Sequence, residues 1–142
     1  MSSPIFFQRY SNAALIPFKR SEIAAVLGSA AVLDGPSIAA IRFSDDDGGE
    51  VYGIDADEFE QLSFDEGGGE KFFDALWRIA DATGALIYWL GEGACSAVTR
   101  NEVLPHLPAD IVTDVGPVKI VASGAELEEA VYGENFDFGD EG

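Results

Sequence analysis

The 142-residue chain predicts a single compact α+β domain, a mainly antiparallel sheet with helices packed on one face. Three observations carry this. Short runs rich in branched and aromatic residues alternate with segments of helical period. A turn-rich stretch after Phe43 joins two of those runs as a hairpin, which requires antiparallel pairing. The chain is 47% hydrophobic and has ten Phe, four Tyr and two Trp, enough apolar mass for a core at this length.

In chain order, Ile5–Tyr10 (IFFQRY) is the first strand. Ser21 caps a helix through about Leu27, with Gly28 as its stop. After the turn Asp34-Gly35-Pro36, Ile38–Phe43 is a strand, residues 44–49 are the hairpin connection, and Glu50–Ile54 returns. Asp55, with Glu58 at the capping-box position, opens a short acidic helix through Leu62. Gly67-Gly68-Gly69 is a flexible connection into the strongest helix, Glu70–Thr83. There Phe72, Phe73, Leu76, Trp77, Ile79 and Ala80 make one apolar face, and Gly84 is the stop. Ala85–Leu90 is a central strand and Ser96–Thr99 continues the sheet. Asn101 starts a short turn of helix ended by Pro105 and Pro108, and Pro117–Ala122 is the last strand. Ser123 and Glu126 form a capping box for a helix to about Tyr132. The domain therefore covers residues 1–132, and 133–142 is an acidic, flexible tail.

Charge narrows the classes of partner. Eleven acids and no Lys or Arg lie between Asp45 and Glu70. Residues 1–44 hold four bases and two acids, net +2; residues 45–142 hold four bases and twenty-four acids, net −20, which together give −18. Such a field repels nucleic-acid phosphates and anionic membranes, so direct binding to either is not expected. A basic protein is its complement. The single Cys95 rules out an internal disulfide and suits a reducing cytoplasm. Ile23–Leu33 follows Lys19 and Arg20, but Glu22, Gly28 and Ser29 favour a helix and turn over a signal peptide.

Several constellations invite chemistry and each has a plainer reading. Asp45-Asp46-Asp47-Gly48 resembles a calcium loop, yet consecutive side chains diverge and strands flank it, so a solvated hairpin tip is expected. Gly91-Glu92-Gly93 lacks the third glycine of a dinucleotide fingerprint, since Ser96 stands there. Gly67-Gly68-Gly69 has no phosphate-binding lysine in register and is surrounded by acids. Cys95 and His106 are the only thiol and imidazole, but no cation adjoins Cys95 to activate it. No metal or cofactor is expected, and no carboxylate pair stands out for acid–base work.

What remains is a non-enzymatic, protein-binding module, an inhibitor or immunity-type factor that docks a cationic nucleic-acid-binding or toxin protein. The partner-binding candidates are Asp45, Asp46, Asp47, Glu50, Asp55, Asp57, Glu58 and Glu60, with Phe136 and Phe138 as apolar anchors in the tail. Two alternatives stand beside it. One is a small enzyme or ligand-binding domain with its site near Tyr88, Trp89, Glu92 and Cys95; the other is an acidic structural protein adapted to a saline cytoplasm.

Overall fold

The structure, a computed structural model, describes residues 4–35, 37–54, 56–90, 94–110 and 118–131. The chain opens with β1 (Ile5–Ser11), β2 (Ala14–Ile16) and β3 (Phe18–Lys19), followed by α1 (Arg20–Leu27) and a 3-10 turn at Gly28–Ala30. Then come β4 (Ala31–Asp34), β5 (Ser37–Ser44), β6 (Asp47–Tyr52), β7 (Glu58–Phe59) and β8 (Leu62–Gly68). α2 (Glu70–Thr83), β9 (Ala85–Leu90), β10 (Ala94–Val98), a 3-10 helix (Asn101–His106) and β11 (Val118–Ile120) follow. A last helix, α3, covers residues 124–131.

The main sheet runs β11-β10-β9-β1-β8-β6-β5-β4, with β2 also paired to β1. All its pairings are antiparallel except β10 with β11. β1 lies at the centre because it has a neighbour on each side: β9 on one, and on the other β8 along Ile5–Phe7, then β2 along Arg9–Ser11. Period-2 alternation sends Ile5, Phe7, Ile87, Trp89, Leu62, Phe64 and Val51 to one face, where α1, α2 and α3 cover them. β5 contributes both Ile38 and Ile41 to that core. A bulge, in which Ala40 faces Val32 while Ile38 faces Leu33, reverses the alternation between them.

α2 supplies most of the covering apolar surface. Phe72, Phe73, Leu76, Ile79 and Ala80 are all buried, and Phe72 meets Phe64 edge-on with ring centroids 6.2 Å apart. Gly84 ends it in the left-handed conformation at φ 71°, its N–H donating to the Ala80 carbonyl. α3 opens as a near capping box: the Glu126 N–H donates to Ser123 Oγ (3.2 Å), while Glu126 Oε1 accepts from Ala122 N–H (2.8 Å). Gly124 lets α3 approach closely, since a Cβ there would lie 2.5 Å from Asp74 Cα. A second, smaller apolar cluster (Leu86, Val98, Val103 and Leu107) sits on the opposite sheet face under the 3-10 helix.

Two expectations are corrected. The acidic helix from Asp55 to Leu62 does not form. Residues 56–57 bend, Glu58–Phe59 pairs with β3, and β8 begins at Leu62. The reason is tertiary. Phe59 stacks on Phe18 at 5.7 Å, and Leu62 and Phe64 alternate with Ser63 and Asp65 at strand period. The Gly67-Gly68-Gly69 connection is likewise strand through Gly68, which pairs with Gly48 of β6. α1 starts two residues early, at Arg20, with Lys19 and not Ser21 at the N-cap and the Lys19 N–H donating to Glu22 Oε1 at 2.8 Å. Asp55 itself, residues 91–93 and the whole tail with Phe136 and Phe138 lie outside the described residues.

Candidate functional site

The sheet face turned away from α1 and α2 is only partly covered, and the strand register dictates what it displays. Ser96 lies opposite Tyr88, Tyr88 opposite Phe6, Phe6 opposite Ser63, and Ser63 opposite Tyr52. Five strands thus contribute one row, buried at its Ser96 end and exposed at Tyr52. Phe6 and Tyr88 stack at 5.1 Å with planes 22° apart, and Tyr52 is 52% exposed. The adjacent row runs from apolar to acidic: Val32, Ala40, Glu50 and Asp65 lie opposite one another in turn. Like charges facing across a strand pair are unfavourable. The Tyr52 hydroxyl donates to Glu50 Oε1, linking the two rows. On the far side the 3-10 helix closes the face over Leu86 and Val98.

Beyond Glu50 the β5–β6 hairpin carries the acidic tip, and its three aspartates have different positions. Asp45 and Asp46 form the turn, and among the described residues neither takes part in an ion pair. With Arg42, Ser44 and Glu50 they rim an open hollow of about 410 Å³. Asp47 belongs to β6, and its carboxylate turns to the start of α2, accepting from Lys71 N–H (3.0 Å) and Phe72 N–H (2.8 Å). The residue at the helix N-cap is Gly69, which has no side chain to do this. A Cβ on Gly69 would meet the Asp47 carboxylate at 2.5 Å, so glycine here makes room for a cap supplied from another strand.

The structure separates the remaining candidates from that tip. Asp57 ion-pairs with Arg20 at 3.0 Å, Glu58 stands opposite Lys19 in the β3–β7 ribbon, and Glu60 is exposed beyond it. An open groove of about 700 Å³ beside this ribbon is lined by both signs: Lys19 and Arg20, Asp57 and Glu58, with Leu33 and Ile38. Among the described residues no three of His, Cys, Asp and Glu are grouped to hold a metal ion. Tyr88 and Trp89 point to opposite sheet faces, the second 3% exposed in the main core, so they do not share a site. Cys95 stands opposite Trp89 in the register, and Glu92 is outside the described residues.

Burial pushes the Tyr88 phenol above its ordinary value, and burial together with the neighbouring Tyr88 does the same to Tyr10. Both rings therefore stay neutral in the physiological range and act as apolar bodies with a polar tip. The aromatic row was not visible along the chain, because Phe6, Tyr52 and Tyr88 come from three strands whose order only the fold reveals.

No family model, curated protein or solved structure matches the chain. Among the described residues no helix is long and apolar enough to cross a membrane.

Proposed function

We propose that the chain is a protein-binding module that docks a cationic protein through the open sheet face around Tyr52, as an inhibitor or immunity-type factor does. The observation that supports this is a row bearing exposed Tyr52 and, beyond Ser63, the half-buried Phe6 and Tyr88, next to the acids Glu50, Asp45 and Asp46. Aromatic side chains supply large contact area at low entropic cost and are enriched among binding hot spots. Surrounding carboxylates steer a basic partner into place and raise its association rate. Asp57 and Glu58 have a smaller part in this reading, since Arg20 and Lys19 lie against them.

The test is site-specific photo-crosslinking in extracts of the source cell, with the reactive residue placed at position 52 or, as a control on the helical side, at exposed position 78. Proteins captured from position 52 and not from 78 are expected to be basic. Their association rate should drop about tenfold or more between 50 and 500 mM salt. Capture without a basic bias, or equal capture from both positions, refutes the proposal.

A further inference from the structure

The tip of the β1–β2 hairpin is held by a residue that titrates. Ser11 pairs with Ala14, so Asn12 and Ala13 form a two-residue turn, and both have positive φ, 50° and 69°. Asparagine tolerates that conformation; alanine does not, and strain of about 1 kcal/mol or more persists only where the surroundings enforce it. The two-residue connection between paired strands requires it, and one residue outside the hairpin braces the turn: His106, the last of the 3-10 helix. The Asn12 N–H donates to His106 Nδ1 (3.1 Å), and the Ala13 N–H donates to the His106 carbonyl (2.8 Å).

An imidazole that accepts at Nδ1 carries its proton on Nε2 and is neutral. Protonation puts a second N–H at Nδ1, where it meets the Asn12 N–H donor to donor. We infer that His106 is a pH-sensitive latch: neutral, it ties the β1–β2 turn to the 3-10 helix by two bonds, and protonated, it gives up one of them. The carbonyl bond from Ala13 survives the change, so what is lost is one of two ties. The latched element is the cover over Leu86 and Val98, on the same sheet face as the aromatic row. With that tie lost, the 3-10 helix keeps the Ala13 bond and its packing through Val103 and Leu107, and local opening becomes easier.

The neighbours of the imidazole across an open cavity of about 320 Å³ carry both signs of charge. Arg9 and Tyr10 come from β1, Thr83 and Gly84 from the end of α2, and Arg100 and Glu102 from the start of the cover. Arg9 is paired with Glu22 and Arg100 with Asp81, and Glu102 and the C-terminal end of α2 complete the surroundings.

Amide exchange on the full 15N-labelled chain tests this between pH 5 and 8, with the His106 ring protons giving its titration in the same sample. In the wild type the protection factor of Asn12 should fall as His106 protonates, by up to about tenfold per pH unit, the limit for one linked proton. In His106→Asn the side-chain oxygen replaces Nδ1 as an acceptor that does not titrate, so protection should persist and lose its pH dependence. In His106→Ala it should be low throughout; if that variant does not fold, the comparison of wild type with His106→Asn decides alone. Protection of Asn12 that ignores the His106 titration, or a His106→Asn variant that tracks the wild type, overturns the latch.

Discussion

Asp45, Asp46 and Asp47 are chemically identical neighbours, and the fold predicts that changing them to alanine will give different results. Asp47→Ala removes the acceptor for two α2 amides, Lys71 N–H and Phe72 N–H. The first is exposed and water replaces the carboxylate. The second belongs to Phe72, which is 1% exposed, and its part-buried N–H is left with poorer access to solvent. A lost N-cap costs about 0.5–2 kcal/mol. Removing a negative charge from a helix N-terminus adds about 0.3–1 kcal/mol. These contributions overlap, so a total of about 2 kcal/mol is the working figure, a drop of roughly 6–8 °C in Tm for a domain of this size.

Asp47→Asn keeps one acceptor oxygen and loses the charge, and should cost about half as much, roughly 1 kcal/mol. Asp45→Ala and Asp46→Ala touch only the exposed turn and should stay within about 0.5 kcal/mol of wild type, with relief of like-charge repulsion favouring slight stabilisation. The assay is urea unfolding followed by far-UV circular dichroism at pH 7, comparing midpoints at constant m. If Asp47→Ala falls within 0.5 kcal/mol of the other two variants, the cap from β6 to α2 does not exist as described.

Two further predictions concern the helical side. Gly124→Ala gains up to about 1 kcal/mol of helix propensity. However, its Cβ would lie 2.5–2.9 Å from backbone atoms of Phe73 and Asp74, which cannot swing aside. Overpacking of about 1–3 kcal/mol wins, so urea unfolding should show net destabilisation. Trp77 fluorescence should shift too, because its indole N–H donates to the Val121 carbonyl just before α3. Glu22→Gln tests the pH dependence of stability. Burial raises the Glu22 carboxyl, but hydrogen bonds from Arg9 and the Lys19 N–H, with the charges of both residues, outweigh it and hold it below the ordinary range. A folded-state value below the unfolded one adds stability above the unfolded value of about 4.3, and that stability disappears as pH falls through the folded value. Wild type should therefore exceed Glu22→Gln by about 1–2 kcal/mol near pH 7, between the exposed and buried ion-pair cases, and the gap should close towards pH 3. A gap independent of pH would remove Arg9–Glu22 as its source.

The parts of the fold legible in the sequence are those whose signal is local. α2 and β9 match their expected bounds to the residue, because a helical apolar face, a glycine in the left-handed conformation and a continuous apolar run each occupy adjacent positions. β8 was missed because its signal is distant. Asp65 and three glycines argue against a strand locally, yet β8 is inserted between β1 and β6, where Gly68 faces Gly48 and no side chain is needed. β3 and β7 are two residues each and exist through the Phe18–Phe59 stack, a contact between residues forty-one positions apart. The aromatic row was hidden for the same reason: alternation separated Phe6 from Ile5 and Phe7, but only the register joins it to Tyr88 and Ser63.

The same distance effect changes the meaning of the charge. Along the chain, a net-positive first third precedes a strongly acidic remainder, which suggests two electrically distinct ends. Folding removes much of that division. Arg20 meets Asp57 and the β3–β7 ribbon sets Lys19 opposite Glu58, while Arg9 is paired within the first third, with Glu22. Asp47 is engaged with α2. Of the described acids between Asp45 and Glu60, those on the β5–β6 hairpin and outside the α2 cap are Asp45, Asp46 and Glu50, which share an open hollow with Arg42. A block reversal of residues 55–60 would thus disturb the ribbon that closes over Phe18 and give no information about a partner. Charge reversal at positions 45 and 46 leaves the described ion pairs and the Tyr52–Glu50 hydrogen bond intact, so a binding defect there can be read as a property of the surface.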